Sequence, residues 1–178
     1  SLAGAAGVYK GAFRQCGIIE ADDLEDLFNV LKVLEKCPPM KGKRVQVVTN
    51  GGGFGILASD ALIKNNMEMP LPSEKTKACL KKKLAPEAII SNPMDLTGSV
   101  RTEEYKITLD EVMKDKQSDA VLLIVLVQTP LISQEVINII AKAKKKYPQK
   151  PLVVVTTGGE YTISYKRKIE NIGVPCFQ

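Results

Sequence analysis

The chain has 178 residues, 44% of them hydrophobic and 25% charged, with a formal net charge of +5. This is an ordinary globular composition, with length for one full domain and a fragment of another. Aromatic residues make up 5% and there is no tryptophan, which excludes a stacking platform for single-stranded nucleic acid; no nucleic-acid partner is expected. The chain contains no histidine, so no mechanism with an in-chain histidine base, metal ligand or phosphocarrier is open to it.

The positive charge suits anionic ligands. Basic and acidic residues are nevertheless interleaved, and Lys81–Lys83 and Lys144–Lys146 read as solvated helix faces. Cys16, Cys37, Cys79 and Cys176 lie far apart, which predicts free thiols in a reducing, cytoplasmic setting. The longest apolar run, Ala120 to Val127, is too short to cross a bilayer. Nothing resembles a signal peptide. Neither a membrane partner nor a metal site is expected. The opening stretch SLAGAAGVYKGAF has no Met and already reads as a helix start, as a piece of a longer polypeptide would.

Val8, Phe13 and Cys16 fall on one helical face, and Gly17 stops that run. Gly17 to Ile19 reads as a short extended stretch. A second helix follows, capped by Asp22 or Asp23, with Leu24, Leu27, Phe28, Leu31 and Leu34 as its apolar stripe. It ends before Pro38-Pro39. Two prolines, a glycine and basic residues make residues 38–43 a linker. It separates a first part, 1–37, from a domain at 44–178.

Beyond the linker, strands and helices alternate. Strand Arg44–Thr49 leads to helix Phe54–Asn65. A short strand at Met67–Met69 precedes helix Ser73–Leu84, with Ser73 as cap. The loop ISNPMDLTGS comes next, then helix Thr102–Lys114. Strand Ala120–Val127 leads to helix Ser133–Lys146, strand Pro151–Thr157 to helix Glu160–Asn171, and the last strand is Val174–Phe177. Continuous apolar strands between amphipathic helices predict an α/β fold with a parallel sheet covered on both faces. Five strands with right-handed crossovers favour the flavodoxin-like, doubly wound order 2-1-3-4-5.

In such sheets ligands sit at the carboxyl ends of the strands. The first of the four loops there holds Asn50, Gly51, Gly52, Gly53, Phe54 and Gly55. It matches neither G-x-G-x-x-G nor G-x-x-x-x-G-K-[ST]: Ile56 stands where the third glycine would be, and no lysine follows. Glycines before a helix still expose backbone N–H groups to an anion at the positive end of the helix. The other reading is tight strand–helix packing alone, and the residues leave both open. In the second loop, Asn92 precedes Pro93, and Asp95 either caps the turn or accepts a hydrogen bond from a ligand or partner loop. In the third, Gln128, Thr129 and Pro130 form a turn before Ser133. In the fourth, Gly158, Gly159 and Glu160 repeat the strand–glycine–helix pattern.

Three stretches carry a family resemblance. SLAG with FRQCGIIEADDLEDLFNVLKVL, then RVQVVTNGGGFGILASDAL, then SNPMDLTG resemble the NDP-forming acyl-CoA synthetases of the succinyl-CoA synthetase superfamily, among them the ADP-forming acetate–CoA ligases. TGGE matches more weakly. The resemblance implies a cycle in which acyl-CoA, ADP and phosphate give acid, CoA and ATP through an acyl phosphate and a phosphohistidine. It implies that Ser1-Leu2-Ala3-Gly4 follows directly on the phosphohistidine loop, and that residues 1–37 end the phosphohistidine domain. It assigns one of two helix N-termini aimed at the phosphoryl group to Gly51–Gly55 and Ile56. It places the acyl side near Gln128–Ser133, where Leu131 departs from the polar residue common in the family. No catalytic residue falls in this chain. CoA and phosphate or acyl phosphate are the implied ligands, with ATP or ADP and Mg at an ATP-grasp domain not in this chain. The implied partners are that domain and a CoA-binding Rossmann domain, within an oligomeric enzyme. A non-catalytic regulatory module of the same fold, binding CoA, phosphate or a partner, is the alternative.

Overall fold

A computed structural model describes residues 6–178, so Ser1-Leu2-Ala3-Gly4 lies outside the described residues. The chain divides into two compact units, Ser1–Glu35 and Lys36–Gln178.

The first unit holds α1 (Ala6–Cys16) and most of α2 (Leu24–Lys36). Gly17 adopts φ 68°, a left-handed conformation that glycine reaches without strain. It lets the Ile18 N–H reach the Phe13 carbonyl at 2.8 Å and the Gly17 N–H reach Arg14 at 3.4 Å, a Schellman closure of the last turn of α1. The extended stretch expected from Gly17 therefore begins as a turn. Asp23 caps α2: its Oδ1 accepts from the Asp26 N–H at 2.8 Å. The α2 stripe of Leu24, Phe28, Leu31 and Leu34 is exposed.

The second unit is a five-stranded parallel sheet in the order β2-β1-β3-β4-β5. Its strands are β1 (Val45–Thr49), β2 (Met94–Asp95), β3 (Ala120–Val125), β4 (Leu152–Thr156) and β5 (Cys176–Phe177). The helices are α3 (Gly52–Lys64), α4 (Glu74–Lys81), α5 (Thr102–Lys114), α6 (Glu135–Lys146) and α7 (Glu160–Asn171). Val45 pairs with Ala120, and Val121 with Leu152. β1, an interior strand between β2 and β3, is buried at all five positions, in keeping with a strand that is β-branched at every position except Gln46. Val48, Leu123 and Val154 from the sheet are fully buried, as are Ile140 of α6, Ile169 of α7 and Tyr105 of α5.

The second strand is not the one expected. Met67–Met69 forms only a single bridge, from Glu68 to Arg44, and the strand beside β1 is Met94–Asp95. The physical reason lies in Asn92. Its Oδ1 accepts from the Val47 N–H at 3.0 Å, and its Nδ2 donates to the Val45 carbonyl at 2.8 Å and to Pro70 at 2.9 Å. One side-chain amide thus fills the gap between the Glu68 bridge and β2 (Met94–Asp95). The order 2-1-3-4-5 stands with a composite second position. Helix ends also differ: α3 begins two residues earlier than expected, at Gly52, α4 ends at Lys81 rather than Leu84, and α6 begins at Glu135 rather than Ser133. Ser73 caps α4 by accepting from the Thr76 N–H at 3.3 Å.

Candidate functional site

The carboxyl edge of the sheet is stitched loop to loop by the side chains of Asn50 and Thr102. β1 and β3 are where the strand order reverses, the position at which α/β sheets open a crevice. Asn50, buried just past β1, spans that point. Its Oδ1 accepts from the Leu126 N–H at 2.8 Å; its Nδ2 donates to the Leu126 carbonyl at 3.3 Å and to Thr129 Oγ1 at 3.1 Å. Asn50 therefore fixes the loop after β3 rather than projecting toward a ligand. Thr129 is committed to the same knot, donating to the Leu126 carbonyl at 2.8 Å.

Before α3, Thr49 Oγ1 accepts from the Gly51 N–H at 3.0 Å. Gly51 is the N-cap, extended at φ −146° and ψ 98°, and supplies no side-chain cap. Its carbonyl accepts from the Phe54 and Gly55 N–H groups, at 3.0 and 3.2 Å. The N–H groups of Gly52 and Gly53 have no hydrogen-bond partner among the described residues, and both lie at the positive end of α3. A Cβ at Gly51 would meet Leu126 Cδ2 at 2.7 Å. A Cβ at Gly55 would meet Thr49 Cγ2 at 3.1 Å and Pro93 at 3.3 Å. At Gly53 nothing lies within 4 Å. The cradle is walled at Gly51, Gly52 and Gly55 and open at Gly53 and the half-exposed Phe54. Gly51 and Gly55 are packed against their neighbours, as the packing reading expects, whereas Gly53 faces open space.

Asp95 ends β2 beside this turn. Its Oδ1 accepts from the Thr97 N–H at 2.9 Å, and its Oδ2 stands 2.6 Å from where a Gly52 Cβ would be. The carboxylate caps its own turn and lies against the first turn of α3. Sequence spacing did not bring Asp95 to Gly52, because that contact depends on β2 pairing with the end of β1. Asn92 is not at this edge; its amide is committed to β1 and Pro70.

On the other side of the switch point, Gln128 is exposed, and its Oε1 lies 2.7 Å from a Cβ built at Gly158. Gly158 and Gly159 have φ of 133° and 71°, which glycine alone adopts readily. The Gly159 carbonyl accepts from the Thr162 N–H and Oγ1, at 3.0 and 2.7 Å. Pro130 and Glu160 are exposed at the edge, Glu160 as the first residue of α7. A contact that sequence reasoning missed is Thr102, buried at the start of α5. It donates to the Leu131 carbonyl at 3.1 Å and accepts from the Ser133 N–H at 2.9 Å. A threonine opening an amphipathic helix was its only sequence signal, and that reads equally as a cap.

The edge can therefore offer an anion two backbone N–H groups and a helix dipole, but no cationic side chain in the glycine loop. The attraction is about 0.3–1 kcal/mol at a surface and up to about 2 kcal/mol when partly buried. No cluster of three or more potential metal ligands occurs among the described residues.

A doubly wound sheet with a glycine-walled helix N-terminus at its switch point defines a class of ligand-binding α/β domain. Residues 45–171 match the family described as the Ligase-CoA domain, and the chain belongs to that family. The relatives are specific. The chain is 30% identical over 183 residues to the ADP-forming acetate–CoA ligase II subunit alpha of Pyrococcus furiosus, covering 100% of this chain and 39% of that subunit. It is 32% identical over 180 residues to the ADP-forming acetate–CoA ligase of Methanocaldococcus jannaschii, covering 99% of this chain and 26% of that protein. Among solved structures it is similar to the dinucleotide-forming acetyl-coenzyme A synthetase 1 of Ca. Korarchaeum cryptofilum in complex with phosphate and ADP. That match has a TM-score of 0.92 at 30% identity and covers 99% of this chain and 38% of the other. The chain thus spans about two fifths or less of these relatives' length. No helix among the described residues is long and apolar enough to cross a membrane.

Proposed function

We propose that this chain is the Ligase-CoA part of an ADP-forming acyl-CoA synthetase, in which acyl-CoA, ADP and phosphate are converted to acid, CoA and ATP. Its contribution is a backbone cradle for the phosphoryl group at the start of α3. The observation that carries this is the pair of unpartnered N–H groups, Gly52 and Gly53, at an open helix N-terminus on the switch point of the sheet.

The chain's own residues position and hold; none transfers the group. A phosphoryl group in transit carries charge on its peripheral oxygens, and fixed dipoles stabilise that charge without reorganising. Gly52 and Gly53 N–H supply the dipoles. Thr49 and Gly51 set the turn, and Asn50 holds it against the loop after β3. Asp95 guards the Gly52 side, so the phosphoryl group approaches from Gly53. With no histidine in its 178 residues, the chain needs a phosphohistidine supplied by another part of the enzyme. CoA, the nucleotide with Mg, and the Rossmann and ATP-grasp partners belong to the same proposal. Gln128 to Pro130 and Gly158 to Glu160, on the far side of Asn50, line the acyl side.

Phosphate titration followed by amide NMR tests the cradle. Saturable shifts centred on Gly52 and Gly53 are expected, and they should be lost in Gly53→Ala. Unmoved amides at both positions would sink the assignment. The reaction is tested separately, in the protein that carries this chain, by phosphate- and ADP-dependent release of CoA from acetyl-CoA. Absence of that activity with the cradle intact would favour the regulatory module.

A further inference from the structure

A second concavity lies at the opposite end of the sheet. Arg44, before β1, and Asp119, before β3, stand on its floor, about 16 Å from Thr49 at roughly 3.3 Å per strand residue. The cleft measures about 600 Å³, within the range of small-molecule sites. Its charge is lopsided: Lys41, Arg44, Lys114, Lys116, Lys146 and Lys150 line it, against only two carboxylates, Asp115 and Asp119.

Both carboxylates are already occupied. Asp119 accepts from Arg44 Nη2 at 2.7 Å, from Arg44 Nε at 3.0 Å and from the Arg44 N–H at 3.1 Å. Asp115 accepts from the Ser73 N–H at 2.8 Å and the Gln117 N–H at 3.0 Å. Lys150 is held rigidly on the floor, donating to the Val112 and Asp115 carbonyls and to Ser118 Oγ at 2.7–2.8 Å. None of those three acceptors is charged; the carboxylates of Asp115 and Asp119 act on the ammonium through space only, and with its three donors spent it would act on a ligand through its charge. Lys114 and Lys146 pair outward, with Glu111 and Asp110. Lys41 and Lys116 are exposed and have no partner among the described residues. The remaining wall is made by Met113, Tyr147 and Pro148, with the amide of Gln149 beside them. A desolvated floor charge, two free lysines at the rim and a flat wall suit a ligand with an anionic end and a flat body.

The geometry points to a binding site for an organic phosphate of nucleotide size in this cleft, its phosphates held by Lys41 and Lys116 over the positive charge of Lys150 and its flat body against Tyr147 and Pro148. This site is separate from the glycine cradle, at the other end of the strands, and nothing in the reaction proposed above requires it.

The test uses the whole chain and three probes followed by amide NMR: ADP, pyrophosphate and adenosine. ADP is expected to give saturable shifts at Lys116, Tyr147 and Lys150, with weaker binding by pyrophosphate and none by adenosine. The double variant Lys41→Ala/Lys116→Ala, which removes only exposed and unpaired side chains, should weaken ADP at least about tenfold. Shifts confined to Gly51–Gly55, or no saturable shift in the cleft, would overturn the site. ADP binding unchanged in the double variant would overturn it too. Pyrophosphate binding as tightly as ADP would remove the flat-body half of the assignment.

Discussion

The carboxylate of Asp95 stands against Gly52: a Cβ at Gly52 would lie 2.6 Å from Asp95 Oδ2, while Asp95 Oδ1 is tied to the Thr97 N–H. The first turn of α3 therefore has one closed side and one open side, and neighbouring glycines should respond differently to the same substitution.

Gly52→Ala must displace a tethered carboxylate. It should destabilise the second unit by about 1–3 kcal/mol, as overpacking does. Gly53→Ala meets open space in a helix and should stabilise by up to about 1 kcal/mol. Urea unfolding of the two variants checks the contrast; equal effects would mean that Asp95 does not wall the turn.

Asn50 is a knot between β1 and the loop after β3. Asn50→Ala leaves the Leu126 N–H without its partner, while the Leu126 carbonyl keeps Thr129 Oγ1; the loss should be about 1–3 kcal/mol. Hydrogen exchange should show faster opening at Leu126 and Thr129 with β3 itself still protected. Protection unchanged at Leu126 would show that the knot is not what holds the loop.

Asn92 does the work of a strand. Asn92→Leu keeps the branching of the side chain but strands the Val47 N–H and the Val45 carbonyl. It should cost about 2–4 kcal/mol, more than Asn92→Asp, which retains the acceptor for Val47. Thermal unfolding of the pair gives the order; an Asn92→Leu variant as stable as the parent would contradict this role.

Lys150 gives a pH signature. Burial pushes its ammonium down to about 8 from 10.5, with Asp115 and Asp119 pulling the other way. Between those two values the unfolded chain keeps a proton that the folded chain has released, so this group makes stability rise with pH across that window. Tyr105, raised by burial, and Tyr165, raised to about 12, oppose it only above the ordinary tyrosine value of 10. Denaturation at about pH 8 and about pH 9.5 should show a larger gain for the parent than for Lys150→Met. A parallel response in both proteins would refute the assignment.

Much of this fold was readable before the structure. The apolar runs of β3 and β4 and the acid-started, lysine-ended helices gave their positions within a few residues, because burial on both faces leaves an unbroken hydrophobic signature. β2 was not readable. Two residues carry no periodicity, and its neighbour Asn92 acts through a side chain that sequence rules assign to turns. The four loops of the site followed from topology. The contacts among them did not: Asp95 against Gly52, Asn50 to Leu126, and Thr102 to Leu131 and Ser133 all span 29 residues or more, and local spacing holds no trace of them.

The composite flank of β1 has a consequence for behaviour in concentrated solution. An uncovered strand edge is a template on which other chains polymerise. Here every outward group along Val45 and Val47 is engaged, by Glu68, by Asn92 and by the Gln46 amide donating to the Val47 carbonyl at 2.8 Å. The strands at the two margins, Met94–Asp95 and Cys176–Phe177, are only two residues long. A stranger's backbone finds little to zip onto at either margin, so the sheet itself is guarded against amyloid-like growth.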